Sequence, residues 1–406
     1  MRVRPVTIKN ALVWERGDIQ RRDLYFAERI LAAPALDALE IDFEGYTIFP
    51  GLINAHDHLE LNHYPRTKFR EVYNNAHEWG EDVNARLNEP PFKQLRAYPL
   101  EDRLFIGGLK NLLCGATTVA QHGPPHKYLF RPDFPVRVLE KYGWAHSLHF
   151  NTDEEVVRSY RATPKHWPWF IHLAEGTDEI AAGEYQRLKA LGCLGLNTIP
   201  VHGVGLTKYD VIDSGAIAGK YFTHHGSQLP IVICPTTNVY LLSRSGHPGM
   251  GFHTMPLLGS DSRLTAEGDL LHELQFVSTH YENAKSTILS ATTTHFRWQW
   301  QLKDAVIKMR PDHCSDFLLI STSDDPETKL CTSRRKDIAL VIRDGIPQIG
   351  DPELMAKFPH IQTVEAVLDG VPKAINLQLA RRIARCTIPE PGLELGLIPK
   401  RRFFVL

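Results

Sequence analysis

The chain reads as an α/β protein: a (β/α)8-type, TIM-like barrel, distorted or one unit short of eight, with a small discontinuous β-sandwich attached. Three observations predict this. Short apolar runs that end in a polar residue recur seven times between residues 46 and 261. Most are followed by a longer stretch of helical period, and such βαβα alternation makes a parallel sheet whose loops gather at the carboxyl ends of the strands. Both ends of the chain instead carry short alternating segments without helices between them, the pattern of an antiparallel sheet.

Taken in order, the first 45 residues alternate apolar and polar in "VTIKNALVW" and "RRDLYFAERI". The apolar runs then fall at 46–55, 116–121, 145–150, 169–175, 196–203, 229–235 and 255–261, with helical stretches at about 101–114, 135–142, 153–161, 178–191, 208–224 and 268–284. Only 18 residues separate Phe150 from Trp169. A full strand-plus-helix unit hardly fits there, so the missing unit is placed at 151–168, unless a short strand lies elsewhere. Strand texture returns in "DFLLIST" (316–322) and "DIALVIRDGIPQIGD" (337–351), where Asp344-Gly345 is a hairpin signal. The expected division is therefore residues 1–50 with 312–360 as the β-sandwich, 51–311 as the barrel, and 361–406 as a C-terminal helical extension. "AVLDGVPKAINLQLARRIA" is its best helix.

Composition narrows the function. Lys and Arg number 46 against 47 Asp and Glu in 406 residues, so the chain has no global field to hold nucleic acid or an anionic membrane. No apolar run approaches the roughly 18 residues that span a bilayer. The start, Met-Arg-Val-Arg-Pro, leads into alternation rather than an apolar h-region, which points to the cytoplasm. A small-molecule substrate, with no nucleic-acid or membrane partner, is the expectation, and barrels of this kind often form homo-oligomers. Aromatic clusters in "HWPWF" and "FRWQWQL" read as packing residues, because no basic surface accompanies them for base stacking.

The chain holds 20 histidines and 6 cysteines, and the cysteines form no C-x-x-C pair. A bound metal would thus be held by imidazole and carboxylate. His56 and His58, at i and i+2, lie on one side of an extended strand end and can face one point. His172, His202 and Asp261 each end a later run, and Glu175 stands one turn beyond His172. Barrel enzymes place their sites at that face. His122 follows another run and Asn238 lies in "CPTTN", so both are candidate substrate contacts. His247, with His253, sits in "SRSGHPGMGFH", which reads either as a substrate loop or as a solvated one.

The series "PGLINAHDH", "GATTVAQ", "HLAE", "VHGVGL", "CPTTN" and "GSDS" resembles the amidohydrolase superfamily, over roughly residues 5–350. Within it, the series is similar to the branch of cytosine deaminases, S-adenosylhomocysteine deaminases and triazine hydrolases. The resemblance implies one divalent metal held by His56, His58, His172 and Asp261. Glu175 and His202 would work on the substrate, and Asp261 would also accept a proton from the attacking water. Two-metal relatives use a carboxylated lysine after the fourth strand, and the one lysine in the relevant gap, Lys165, follows no apolar run. Zn²⁺ suits three imidazoles and a carboxylate best, with Fe²⁺ or Mn²⁺ as alternatives. The activity implied is hydrolysis of a non-peptide C–N bond in a small heterocycle by metal-activated water attacking an sp² carbon, first of all deamination. Hydrolysis of a cyclic amide, a lactam or another leaving group on the same site is the alternative, and a non-catalytic barrel scaffold is the rival from another class.

Overall fold

The computed structural model describes residues 3–15, 17–210, 213, 230–245, 256–281, 289–293 and 313–398. Eight parallel strands carry its α/β part: β1 (Leu52–Asp57), β2 (Ala116–Gln121), β3 (Arg137–Val138), β4 (Gly143–Ser147), β5 (Trp169–Leu173), β6 (Thr198–His202), β7 (Ile231–Ile233) and β8 (Pro256–Leu258). Strands β1–β3 form one sheet and β4–β8 another, every neighbouring pair parallel. Their outer edges meet just past β8, where the N–H groups of Ser260 and Asp261 donate to the carbonyl of His56 at 3.1 and 3.0 Å.

Strands covered on both faces are apolar almost throughout, and β1, β2, β5 and β6 are buried at every position. Ile53 and Ala55 of β1, Ala120 of β2, Phe170 of β5, Ile199 and Val201 of β6, Val232 of β7 and Leu257 of β8 join in one cluster. Each larger member contributes about 1.5–3 kcal/mol through removal from water. Helices fill the connections: α1 (Ala76–Ala85), α2 (Leu100–Leu113), α3 (Asp153–Ala162), α4 (Glu179–Ala190), α5 (Pro235–Leu242) and α6 (Leu270–His280). Their starts follow the chemistry of orphan N–H groups. Thr152 and Glu155 form a capping box on α3, and Asp178 accepts from Ala181 N–H on α4. Helix α2 presses onto the turn after His58 so closely that a Cβ at Gly107 would lie 2.3 Å from the Leu59 carbonyl oxygen, which only glycine permits.

The expected shortfall of one strand is corrected. The eighth strand is β3, two residues long, in a stretch expected to be helical (135–142); residues 151–168 hold α3 and the approach to β5. Two residues after Pro135 are too few for any period to show. Of the helix expected at 208–224, most lies outside the described residues.

The chain ends unite in a nine-stranded sheet, ordered Leu393–Leu395, Thr363–Leu368, Val371–Asn376, Ile346–Gly350, Leu340–Arg343, Phe317–Ser321, Tyr46–Pro50, Leu12–Glu15, Asp18–Arg21. Phe317–Ser321 pairs antiparallel with Tyr46–Pro50 along its full length. A separate three-stranded sheet sets Val6–Lys9 between Leu24–Phe26 and Leu39–Asp42, and both sheets contribute to one apolar cluster. Among its described residues the C-terminal extension is not mainly helical: residues 363–376 form a hairpin, and Leu377–Ile383 is its one helix. The hairpin turns on Asp369-Gly370, with φ of 51° and 80°, the same Asp-Gly device as Asp344-Gly345. Among the described residues no helix is long and apolar enough to cross a membrane.

Arg137 on β3 ties the parallel strands to the nine-stranded sheet, 2.7 Å from the wholly buried Asp316 and also paired with Asp344. Arg137→Met leaves the buried Asp316 without its cation, while Asp344 keeps Arg343. The expected loss is about 3 kcal/mol in urea unfolding, and a loss below about 1 kcal/mol would show that the link is idle.

Candidate metal centre

The carboxyl ends of the strands bring histidines together from β1 (His56, His58), the residue after β2 (His122), β4 (His146), β5 (His172) and β6 (His202). Asp261 joins them from beyond β8. Local backbone explains the aim of each. A β-bulge on β1 opposes Asn54 to Val119 and Asp57 to Gln121, so three steps on β1 match two on β2. Bulges of this kind re-aim side chains at sheet rims. Asn54 and Asp57 meet each other and Asn111 of α2, while His56 and His58 meet His172. Ala174, His202 and Asp261 all have left-handed backbone, with φ of 54°, 72° and 49°. Such conformations cost of order 1–3 kcal/mol each and persist only where the surroundings impose them.

The donor atoms converge. His172 Nε2 lies 3.3 Å from His56 Nε2 and 3.3 Å from His58 Nε2. Asp261 Oδ1 lies 3.8 Å from both His56 Nε2 and His58 Nε2. Ligands about 2.0–2.1 Å from one ion at tetrahedral angles stand roughly 3.3–3.4 Å apart, so the set fits a single small cation. Burial first, then the neighbouring imidazoles, holds His56 and His172 well below the ordinary imidazole range, leaving neutral rings with a lone pair to give. Asp261 commits its other oxygen, Oδ2, to the hydroxyl of Thr265 at 2.9 Å, which fixes the carboxylate plane. Gly259 makes room: a Cβ there would stand 2.7 Å from the Cβ of His56.

Glu175 and His202 stand beside this set. His202 directs Nδ1 to Asn238 Oδ1 at 2.8 Å, while Asn238 Nδ2 donates to the Ser245 carbonyl at 3.2 Å. The proton of neutral His202 is therefore on Nδ1, and Nε2 faces Glu175 Oε1 at 3.4 Å. Burial, followed by the charges of Asp261 and Glu184, pushes the Glu175 carboxyl well above its ordinary range. It is a carboxyl whose protonated form burial favours, next to an acceptor nitrogen.

All six residues of the implied set thus come together, and His122 lies with them, stacked on His172 at 4.1 Å and bonded through Nε2 to the Ala145 carbonyl. Asn238 differs from the expected substrate contact, because both ends of its amide are committed to His202 and Ser245. His247 and His253 lie outside the described residues. Sequence reasoning missed His146, whose pKa burial lowers to about 4 and which contacts His172 at 5.0 Å. It ends the run at 145–150 one residue after its first apolar position, a signal that was there to be read. The pair of His77 and Glu184, 3.1 Å apart, had none, since it joins two helices. Cys234, in a run where cysteine carried no motif, has its sulfur within 4.8 Å of ring nitrogens of His56 and His202.

A cavity of about 470 Å³ opens from this centre. Tyr64, Trp79, Phe92, Trp144, Phe150 and Leu264 supply apolar wall, and no lysine or arginine is among the described lining residues.

Two parallel sheets with imidazole and carboxylate donors at the carboxyl ends of their strands agree with the α/β layout that the amidohydrolase resemblance implies, although among the described residues they remain two sheets and not one closed barrel. No family model matches the chain, and no curated protein does. Among solved structures, an adenosine deaminase from Xanthomonas campestris with bound zinc is similar, at 15% identity and TM-score 0.65, covering 87% of this chain and 96% of that one. A triazine hydrolase from Arthrobacter aurescens has 14% identity and TM-score 0.66, covering 85% and 94%. An atrazine chlorohydrolase from the same species, complexed with zinc, has 14% identity and TM-score 0.64, covering 84% and 94%. At such identities the likeness is one of fold.

Purified protein given zinc and then desalted is expected to retain about one ion per chain, and His172→Ala to retain almost none, because it removes the donor that touches both other imidazoles. Elemental analysis checks this; equal zinc in both proteins would place the ion elsewhere.

Proposed function

We propose that the protein is a metal-dependent hydrolase of a C–N bond in an uncharged heterocycle, acting as a deaminase. The observation that carries the reading is the convergence of three imidazole nitrogens and one carboxylate oxygen beside a buried glutamic acid. His56, His58, His172 and Asp261 hold the ion, and zinc suits the set best. A divalent ion so bound supplies Lewis acidity and lowers the pKa of water toward about 7. The names of the solved structures that share the fold, a deaminase and two triazine-directed hydrolases, two of the three with zinc, support the same class.

The chain's own residues account for the proton traffic. Burial and the charges of Asp261 and Glu184 favour the protonated form of Glu175, and a proton held there can pass to a ring nitrogen or a departing amine. Asn238 keeps the His202 proton on Nδ1, so His202 begins as an acceptor through Nε2. It becomes a donor toward an oxygen gathering charge only after taking a proton, and Glu175 stands 3.4 Å away to give it. Asp261, oriented by the hydroxyl of Thr265, would accept a proton from the attacking water. Apolar and aromatic walls exclude water and favour a flat ring, while the absence of lysine and arginine from the described lining gives a phosphate or carboxylate no partner.

Zinc-loaded protein is expected to release ammonia from at least one of a panel of aminated purine, pyrimidine and triazine bases, and to be inactive on their phosphorylated counterparts. Glu175→Gln should keep its zinc and lose at least about 100-fold in turnover. Ring opening of a cyclic amide without ammonia from any base would replace deamination with the alternative hydrolysis. Loss of zinc in Glu175→Gln would make Glu175 a ligand instead.

A further inference from the structure

Directly behind the His56 and His58 pair lies a buried ion pair that takes no part in the chemistry above. Lys110 Nζ, on the last turn of α2, is 2.9 Å from Asp57 Oδ2, and both side chains are wholly buried. The ammonium also donates to Ser260 Oγ at 3.1 Å and to the Asp261 carbonyl at 3.2 Å. Asp57 is equally engaged, accepting from the amides of Asn111 at 2.7 Å, Asn62 at 2.8 Å and Asn54 at 3.1 Å. The Asn54 oxygen completes the net, accepting from the backbone N–H of Ser260 at 3.0 Å and, at 3.3 Å, from that of His56.

Burying two charges costs several kcal/mol per ion, and an apolar pair of similar volume would often serve stability as well or better. What an apolar pair could not do is bind two places at once. Asp57 stands between the two histidines of β1, and the Asp261 carbonyl belongs to the carboxylate donor beyond β8. One ammonium thus joins the two segments that supply three of the four proposed ligands. It does so where the backbone N–H groups of Ser260 and Asp261 donate to the His56 carbonyl and the sheets meet. It also holds the peptide of Asp261 from the carbonyl side, while the His56 carbonyl holds its N–H, so the left-handed Asp261 is pinned at both ends.

We infer that Lys110, through Asp57, Ser260 and the Asp261 carbonyl, is a positioning residue of the metal centre, setting the separation between the His-x-His pair and Asp261. The inference rests on the proposed metal reading. Lys110→Met alone strands Asp57 as a buried charge, so the decisive protein is the full-length double variant Lys110→Met/Asp57→Asn, in which neither charge remains. Three measurements are compared with the unaltered chain: the thermal midpoint in chelator, the zinc affinity by chelator competition, and the visible spectrum of the Co²⁺-loaded protein. The double variant is expected to keep a midpoint near that of the parent, to bind zinc about 10–100-fold more weakly, and to show shifted Co²⁺ bands. Zinc affinity within threefold of the parent with an unchanged Co²⁺ spectrum overturns the inference while leaving the metal reading intact. Failure of the double variant to fold also overturns it, by making the pair a device of stability. A parent chain that binds neither zinc nor Co²⁺ defeats the metal reading itself, and this inference with it.

Discussion

Three imidazole nitrogens and a carboxylate oxygen, with His172 Nε2 3.3 Å from those of His56 and His58 and Asp261 Oδ1 3.8 Å from the same two, cannot satisfy one another. A proton can bridge one pair at a time and leaves the remaining lone pairs face to face. A divalent cation satisfies all four together. The rest of the site follows from that constraint. Burial keeps the rings of His56 and His172 neutral, Thr265 occupies the spare oxygen of Asp261, and Gly259 leaves room for His56.

The fold is arranged to impose this crowding. Parallel strands end at one side, so residues far apart in sequence meet there without any local signal linking them. Left-handed residues at Ala174, His202 and Asp261 turn the chain as it leaves three strands, and the bulge on β1 sorts its side chains. Asn54 and Asp57 meet α2, while His56 and His58 meet His172. Helix α2 can approach because Gly107 has no side chain, and that approach brings Lys110 and Asn111 to the back of the same bulge. Structure on one side of β1 thus fixes chemistry on the other.

Much of this was legible in the sequence, for a physical reason: a donor that closes a parallel strand sits at the end of an apolar run. His56, His58, His172, His202 and Asp261 could be read in that way, and the parallel α/β layout with them. What was not legible depends on packing. Strand β3 is two residues long and has no periodicity. The hairpin at 363–376 carries an Asp-Gly turn, but alternation there competes with a plausible helical period running on into Leu377–Ile383. Lys110 looks like one more cation near a helix end until α2 is laid against β1. Asn238 reads as a pocket residue and serves instead to fix which nitrogen of His202 holds its proton.

Zinc X-ray absorption of the loaded protein tests the central claim most directly. The account predicts a first shell of nitrogen and oxygen at about 2.0–2.2 Å, with outer-shell scattering from three imidazoles. A sulfur scatterer at about 2.3 Å would contradict it. The ion would then be held by Cys234 with His56 and His202, and the division of labour between ligands and proton carriers would fall.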